Sequence, residues 1–256
     1  MTELTFKGKE FVYNHHLAVP FRPLEMHPDK GIGPARLDGN LIVQGDNLHA
    51  LKSLLPTYAG KVDCIFIDPP YNTGNEGWAY SDNVNSPMIR EWLNDNPIGI
   101  DDGLRHDKWC AMMWPRLRLL YELLAETGVL FVSIDDNETH RLRLMLDEAF
   151  GEERFVAEII WRSSDSSNND AKRFSVDHNS ILVYSKDENW VSEKLERTDD
   201  DNHHYSNPDN DPKGPWFPGN LSSPNPRENL RYAIEHPDGR TLGHKLINGI
   251  PFLAEA

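Results

Sequence analysis

Ile65-Phe66-Ile67-Asp68-Pro69-Pro70-Tyr71-Asn72-Thr73-Gly74 is a short apolar run that breaks into a carboxylate, two prolines and an aromatic ring. Val62 to Ile67 carries the β-branched and aromatic content of a fully buried strand, interrupted only by Asp63 and Cys64 and bounded by turn residues. Pro69 and Pro70 fix φ and remove two backbone donors, so strand pairing stops there, and Pro69 biases Asp68 towards an extended conformation. Asp68, the prolyl carbonyls and the Tyr71 ring are thereby held together at the carboxyl end of a strand. Ligands of open α/β sheets bind at that edge.

Outward from this loop the chain alternates. Upstream, Leu41-Ile42-Val43-Gln44 reads as a second buried strand, and Gly45-Asp46-Asn47 as a turn that caps a helix from about residue 48 to 55. Asp46 has two readings at this stage, helix N-cap or hydrogen-bond acceptor for a bound nucleoside. Downstream, residues 107–126 place apolar side chains at 109, 112, 113, 117, 120, 123 and 124, the spacing of a core-facing helix, with Pro115 expected to kink or restart it. Thr127-Gly128 closes that helix, and Val129 to Ile134 is the next buried strand. Asp135-Asp136-Asn137 offers cap chemistry before an amphipathic helix over about 138–150, closed by Gly151. Strands at 155–161 and 180–184 then suggest an antiparallel hairpin on one sheet edge. Alternation of this kind implies an α/β fold with parallel strands.

The remainder reads as loop. Residues 1–39 lack a strong period and are expected to be a surface lead-in, and Gly31-Ile32-Gly33 is a poor nucleotide loop because no strand precedes it. Residues 72–106 are polar, with Trp78, Tyr80 and Trp92 marking a folded lid. Residues 197–240 hold seven prolines and no period, so a boundary is expected near 187: a lead-in over 1–39, a catalytic portion over 40–186 and the start of a recognition region over 187–256.

Composition limits the classes. A net charge of −15, from 26 Lys+Arg against 41 Asp+Glu, opposes non-specific attraction to nucleic acid, although a local basic groove is compatible with it. No apolar run reaches membrane-spanning length and nothing at the amino terminus resembles a leader, so a cytoplasmic protein without membrane contact is expected. Cys64 and Cys110 have no metal or disulfide spacing and are expected in the core.

The chemistry of the central loop suits an exocyclic amine on a nucleobase, whose lone pair is delocalised into the ring. The Asp68 carboxylate and the Pro69 carbonyl are two acceptors for its two N–H bonds, and Tyr71 can stack on a base turned out of the duplex. A different class, a metal-dependent hydrolase using Asp46, Asp68, Asp135 and His140, lacks any motif that fixes ligand spacing; no metal is expected.

Gly45-Asp46-Asn47-Leu48, Phe66-Ile67-Asp68-Pro69-Pro70-Tyr71-Asn72-Thr73-Gly74, Tyr80-Ser81-Asp82-Asn83 and Ser133-Ile134-Asp135-Asp136-Asn137-Glu138 occur in the order and spacing of site-specific DNA adenine methyltransferases. Over about residues 38–235 the chain most resembles the modification (Mod) subunits of type III restriction-modification systems. The resemblance implies a Rossmann-like fold, S-adenosylmethionine as donor and N6 of adenine in duplex DNA as acceptor. It further implies Asp68, Pro69, Pro70 and Tyr71 as the catalytic tetrad, and Gly45, Asp46 and Asn47 as cofactor contacts. Asp in the first tetrad position favours adenine over the cytosine N4 alternative. The resemblance also suggests a homodimer and a restriction subunit as partners. One departure stands out: the family's Phe-x-Gly-x-Gly cofactor loop is not found before Ala256, and residues 240–256 stop resembling the family. The expectation is therefore an amino-terminal portion with an incomplete Rossmann-like fold and an irregular carboxyl-terminal extension, or an inactive truncated remnant.

Overall fold

In the computed structural model the sheet that carries the central loop has the order β1-β2-β4-β3. The structure describes residues 3–33, 36–74, 103–164, 174–198 and 200–217, with backbone at 234–235, 238–239, 241–247 and 250–255. The lid with Trp78, Tyr80 and Trp92 lies outside the described residues. The chain divides into two compact units, 1–191 and 192–256.

In the first unit the elements run α1 (Lys9–Val12), α2 (His15–Ala18), α3 (Asn47–Tyr58), β1 (Val62–Ile67), α4 (Arg105–Leu123), β2 (Leu124–Ile134), α5 (Thr139–Phe150), β3 (Phe155–Arg162) and β4 (His178–Ser185). β1 and β2 are parallel, whereas β4 inserts between β2 and β3 and is antiparallel to both. β2 begins as soon as α4 ends, several residues before the expected start. The early residues leave the regular ladder, since Val62 faces Leu124 and Cys64 already faces Val129. Gly128 sits in that bulge, where a Cβ would come within 2.7 Å of the Val62 carbonyl, so only glycine lets the two backbones meet.

The core follows two periods. α4 contributes Trp109, Met113, Trp114, Leu117 and Leu120, and α5 contributes Leu142, Met145, Leu146 and Phe150, each at helical spacing. Against them lie Leu130, Val132 and Ile134, every second residue of β2, with Leu182 and Tyr184 of β4. α4 is a single element across Pro115 rather than two pieces. Cys110 is buried as expected.

Three expectations are corrected. Leu41 to Gln44 forms no strand, and Ile42 is 97% exposed, because a short apolar run becomes a strand only beside a partner and β1 pairs, among the described residues, with β2 alone. For the same reason β1 is an edge strand instead of a fully buried one, with Phe66 61% exposed and Cys64 at the surface. The lead-in is a surface segment only in its second half, the described residues from 20 to 39 being exposed except for half-buried Leu24, whereas its first half is anchored. Phe6 and Val12 join the core, Trp114 Nε1 donates to the Tyr13 carbonyl at 3.0 Å, and Lys9 Nζ reaches both Glu3 Oε1 and Glu148 Oε2 at 2.8 Å.

His16 makes this anchoring pH-sensitive. Its side chain is 6% exposed. Burial, followed by the charges of Arg118 and Lys52, pulls its pKa down to about 4. Between pH 6.5 and 4 the unfolded chain takes up a proton that the folded chain refuses, so stability falls as pH falls through that window. The loss contributed by His16 approaches about 3 kcal/mol at the acid end. Urea denaturation at pH 7, 6 and 5 is expected to give a shallower pH slope for His16→Gln than for the wild type. Identical slopes would mean that the folded and unfolded chains protonate His16 equally.

The second unit contains β5 (Ile234–Glu235), β6 (Thr241–Ile247) and β7 (Ile250–Glu255), an antiparallel sheet in the order β5-β6-β7. β5 lies within the proline-rich stretch 197–240, in which the sequence shows no period, and β6 and β7 follow it.

Candidate active site

β1 ends at Ile67, opposite Val132, so Asp68 leaves the sheet beside Ser133, the next residue of β2, which is still paired with Ile181 of β4. Asp68 is exposed and the two prolines are half-buried. The loop that follows is held from beneath at three points. The indole Nε1 of Trp109, a residue wholly inside the core, donates to the Pro70 carbonyl at 2.6 Å. The Tyr71 hydroxyl lies 2.7 Å from Ser133 Oγ and accepts from Asn179 Nδ2 at 3.3 Å. Asn72, buried and at φ 61°, donates through Nδ2 to Glu138 Oε1 and to the Arg105 carbonyl, the latter at 3.3 Å. One loop is thus tied to α4, β2, β4 and the residue that precedes α5.

Electrostatics follow from this placement. The Tyr71 hydroxyl is held above its usual pKa, chiefly by burial, with the Asp68 carboxylate adding to the shift and the Ser133 hydrogen bond opposing it. A ring that stays neutral suits stacking rather than proton transfer. His140, in the first turn of α5, is lowered, first by burial and then by Arg141. A cleft of about 420 Å³ opens beside it, lined among others by Asp136, Arg143, Glu158 and His178.

Gly45, Asp46 and Asn47 form an exposed turn at the start of α3. Asp46 Oδ1 accepts from the backbone N–H groups of Leu48 and His49 at 3.0 and 3.2 Å, so it is a helix N-cap. Asn47 Oδ1 accepts from Arg116 Nε at 2.7 Å, which ties the turn to α4. The N-cap bonds both use the same carboxylate oxygen, Oδ1. Among the described residues no group of three or more His, Cys, Asp or Glu side chains could hold a metal ion. The Asp46, Asp68, Asp135 and His140 set is not such a group. No helix among the described residues is long and apolar enough to cross a membrane.

Sequence reasoning missed Trp109, Ser133 and Asn179 as loop contacts. Trp109 carries a signal only as one member of the α4 stripe, Ser133 only as the first residue of a quoted motif, and Asn179 carries none. Glu138 is quoted in the Ser133 to Glu138 motif, but nothing in the motif indicates that it reaches Asn72.

A family model described as DNA methylase matches residues 62–243. The chain belongs to the DNA methylase family. It is similar to the Mod subunit of the type III restriction-modification enzyme StyLTI of Salmonella typhimurium, at 42% identity over 57% of this chain and 24% of that protein. It is similar to the EcoP15I Mod subunit of Escherichia coli, at 37% identity over 60% of this chain and 25% of the relative. The type II methyltransferase M.KpnI of Klebsiella pneumoniae is 32% identical over 61% of this chain and 35% of its own length. The chain thus spans about a quarter of the length of the type III relatives it matches.

Proposed function

We propose that the protein is a site-specific DNA methyltransferase that moves a methyl group from S-adenosylmethionine to N6 of adenine, as the modification subunit of a restriction-modification system. The observation that carries this reading is the division of labour in the loop. The Pro70 carbonyl is committed to Trp109, while Asp68 is exposed at the sheet edge. Asp68 and the Pro69 carbonyl are then the acceptors for the two N–H bonds of an exocyclic amine. With both N–H bonds held, the amine lone pair points away from the base plane, and the loop sets its direction before reaction. Tyr71, its hydroxyl held by Ser133 and Asn179, offers a ring face to a base turned out of the duplex. Asp68 is the acceptor nearest the proton that the alkylated amine releases.

The residues also fit the methyl donor, a cationic nucleoside. The Gly45-Asp46-Asn47 turn is exposed, Asp46 has an oxygen beyond those used in capping, and Phe66 leaves an apolar surface on β1. When bound, that group supplies an electrophilic methyl on a sulfonium, whose C–S bond breaks as the N–C bond forms. The relatives named as Mod subunits of restriction-modification enzymes support extending the reading to a restriction subunit as partner; a second copy of the chain is part of the proposal on the sequence resemblance alone.

Incubation with isotopically labelled S-adenosylmethionine and unmodified DNA, followed by nucleoside mass spectrometry, tests the assignment. Label in N6-methyladenine is the expected result. Label in N4-methylcytosine would replace adenine by cytosine as the target, and label in protein or RNA alone would overturn the reading. Calorimetric titration of S-adenosylmethionine into the 256-residue chain measures separately whether this part of the fold binds the donor.

A further inference from the structure

A buried carboxylate without a part in the chemistry above stands directly behind the loop. Glu138 is fully buried. Its Oε1 accepts from Asn72 Nδ2 and lies 2.5 Å from His106 Nδ1, while Oε2 lies 3.3 Å from Arg141 Nη1. Burying a carboxylate costs several kcal/mol unless charge and hydrogen bonds offset it. Here the partners come from three places: the loop, the first turn of α4 and the first turn of α5.

The partner in the loop is the informative one. Asn72 is one of two non-glycine described residues with positive φ, at 61°. A left-handed residue is sparsely populated for side chains other than Asn and Asp, and it reverses the chain sharply. That reversal comes immediately after Tyr71, so the Asn72 amide determines where the Asp-Pro-Pro-Tyr segment ends and how its ring is presented. Asn72 Nδ2 is shared between Glu138 and the Arg105 carbonyl, both at the junction of the loop with α4 and α5.

We propose that Glu138 is a positioning residue for methyl transfer: it anchors Asn72 in its left-handed turn and thereby fixes Tyr71 and Asp68 against the incoming base. The inference rests on the DNA-methyltransferase reading for its catalytic consequence, but not for the anchor itself. A support residue that only filled the core would affect stability and leave the turnover of the folded protein unchanged. A positioning residue affects kcat more than KM, since displacement of reacting groups by about 1 Å can cost about a hundredfold in rate.

The test combines turnover with amide hydrogen exchange on the 256-residue chain, read on the peptide covering residues 66–74. Glu138→Ala is expected to speed exchange in that peptide and to lower kcat by about a hundredfold, with KM for DNA and donor within about threefold. Glu138→Gln keeps an acceptor oxygen for Asn72 and is expected to restore slow exchange and most of kcat. Asn72→Gly adopts the same backbone turn without steric cost but lacks the amide, and is expected to behave like Glu138→Ala. If Glu138→Ala exchanges fast throughout β2 and α5, its fold is lost and Asn72→Gly decides. Wild-type exchange at 66–74 in Asn72→Gly overturns the anchor, as does a Glu138→Gln variant no better than Glu138→Ala in both readouts. Absence of turnover in a wild-type chain that binds S-adenosylmethionine counts against the methyltransferase reading instead, and the exchange data still decide whether Glu138 holds the loop.

Discussion

Asp68→Ala is expected to lower methyl transfer by about a thousandfold while the protein stays folded. Asp68 sits just past the last residue of β1 and is exposed, so its removal opens no cavity, and the Tyr71 hydroxyl, which loses Asp68 as a hydrogen-bond partner, keeps Ser133 and Asn179. Substitutions of that kind change stability by about 0.5 kcal/mol or less. The rate effect comes from losing one of the two acceptors that orient the amine, together with the negative charge beside a nitrogen that becomes positive as it is alkylated. Asp68→Asn separates these contributions. The amide oxygen still accepts one N–H bond, but the charge is gone, so an intermediate loss of about ten- to a hundredfold is expected. Turnover on unmodified DNA, with thermal unfolding of the same samples, gives both numbers. Wild-type turnover in folded Asp68→Ala would remove Asp68 from the reaction and with it the assignment of the loop.

What was legible in the sequence depends on how local its cause is. α5, β3 and β4 follow from short-range periodicity and from Gly151, and each lies within a few residues of its expected place. The break after Ile67 follows from Pro69 and Pro70, because proline acts on its own backbone whatever surrounds it. The N-cap at Asp46 is equally local. Leu41 to Val43 is the counterexample. Its apolar side chains say that it would bury well, but a strand needs a neighbour, and the neighbour is not a property of those residues. Edge or centre is undecided for β1 for the same reason. In the site, the loop is legible and its supports are not. Trp109 meets Pro70 across 39 positions of chain and Glu138 meets Asn72 across 66, so both contacts exist only once α4, β2 and α5 have packed. A motif can therefore point to the residues that face a substrate while leaving unseen the ones that aim them.

Trp109 should be the support with the largest effect, because it serves the core and the loop with one side chain. Its ring is wholly buried in the main cluster, and its Nε1 donates to the Pro70 carbonyl at 2.6 Å. Trp109→Ala removes the ring and is expected to destabilise the chain by about 3–5 kcal/mol. Against a total stability of about 5–15 kcal/mol, that leaves a protein close to unfolding. Trp109→Phe is the sharper experiment. It retains an aromatic ring in the core but leaves the Pro70 carbonyl without its donor, at a cost of about 1–3 kcal/mol. The released carbonyl is then free to compete with its neighbour at Pro69 for the substrate amine. Two prolyl acceptors in place of one blur the direction in which the lone pair is held. The expected signature is a fall in kcat of about tenfold or more with KM for DNA little changed, since misorientation affects the transition state more than the bound ground state. Urea denaturation measures the first effect and steady-state methyl transfer the second. If Trp109→Phe loses stability yet turns over at the wild-type rate, the indole supports only the core, and the orientation of the Pro69 carbonyl is set by the proline pair itself.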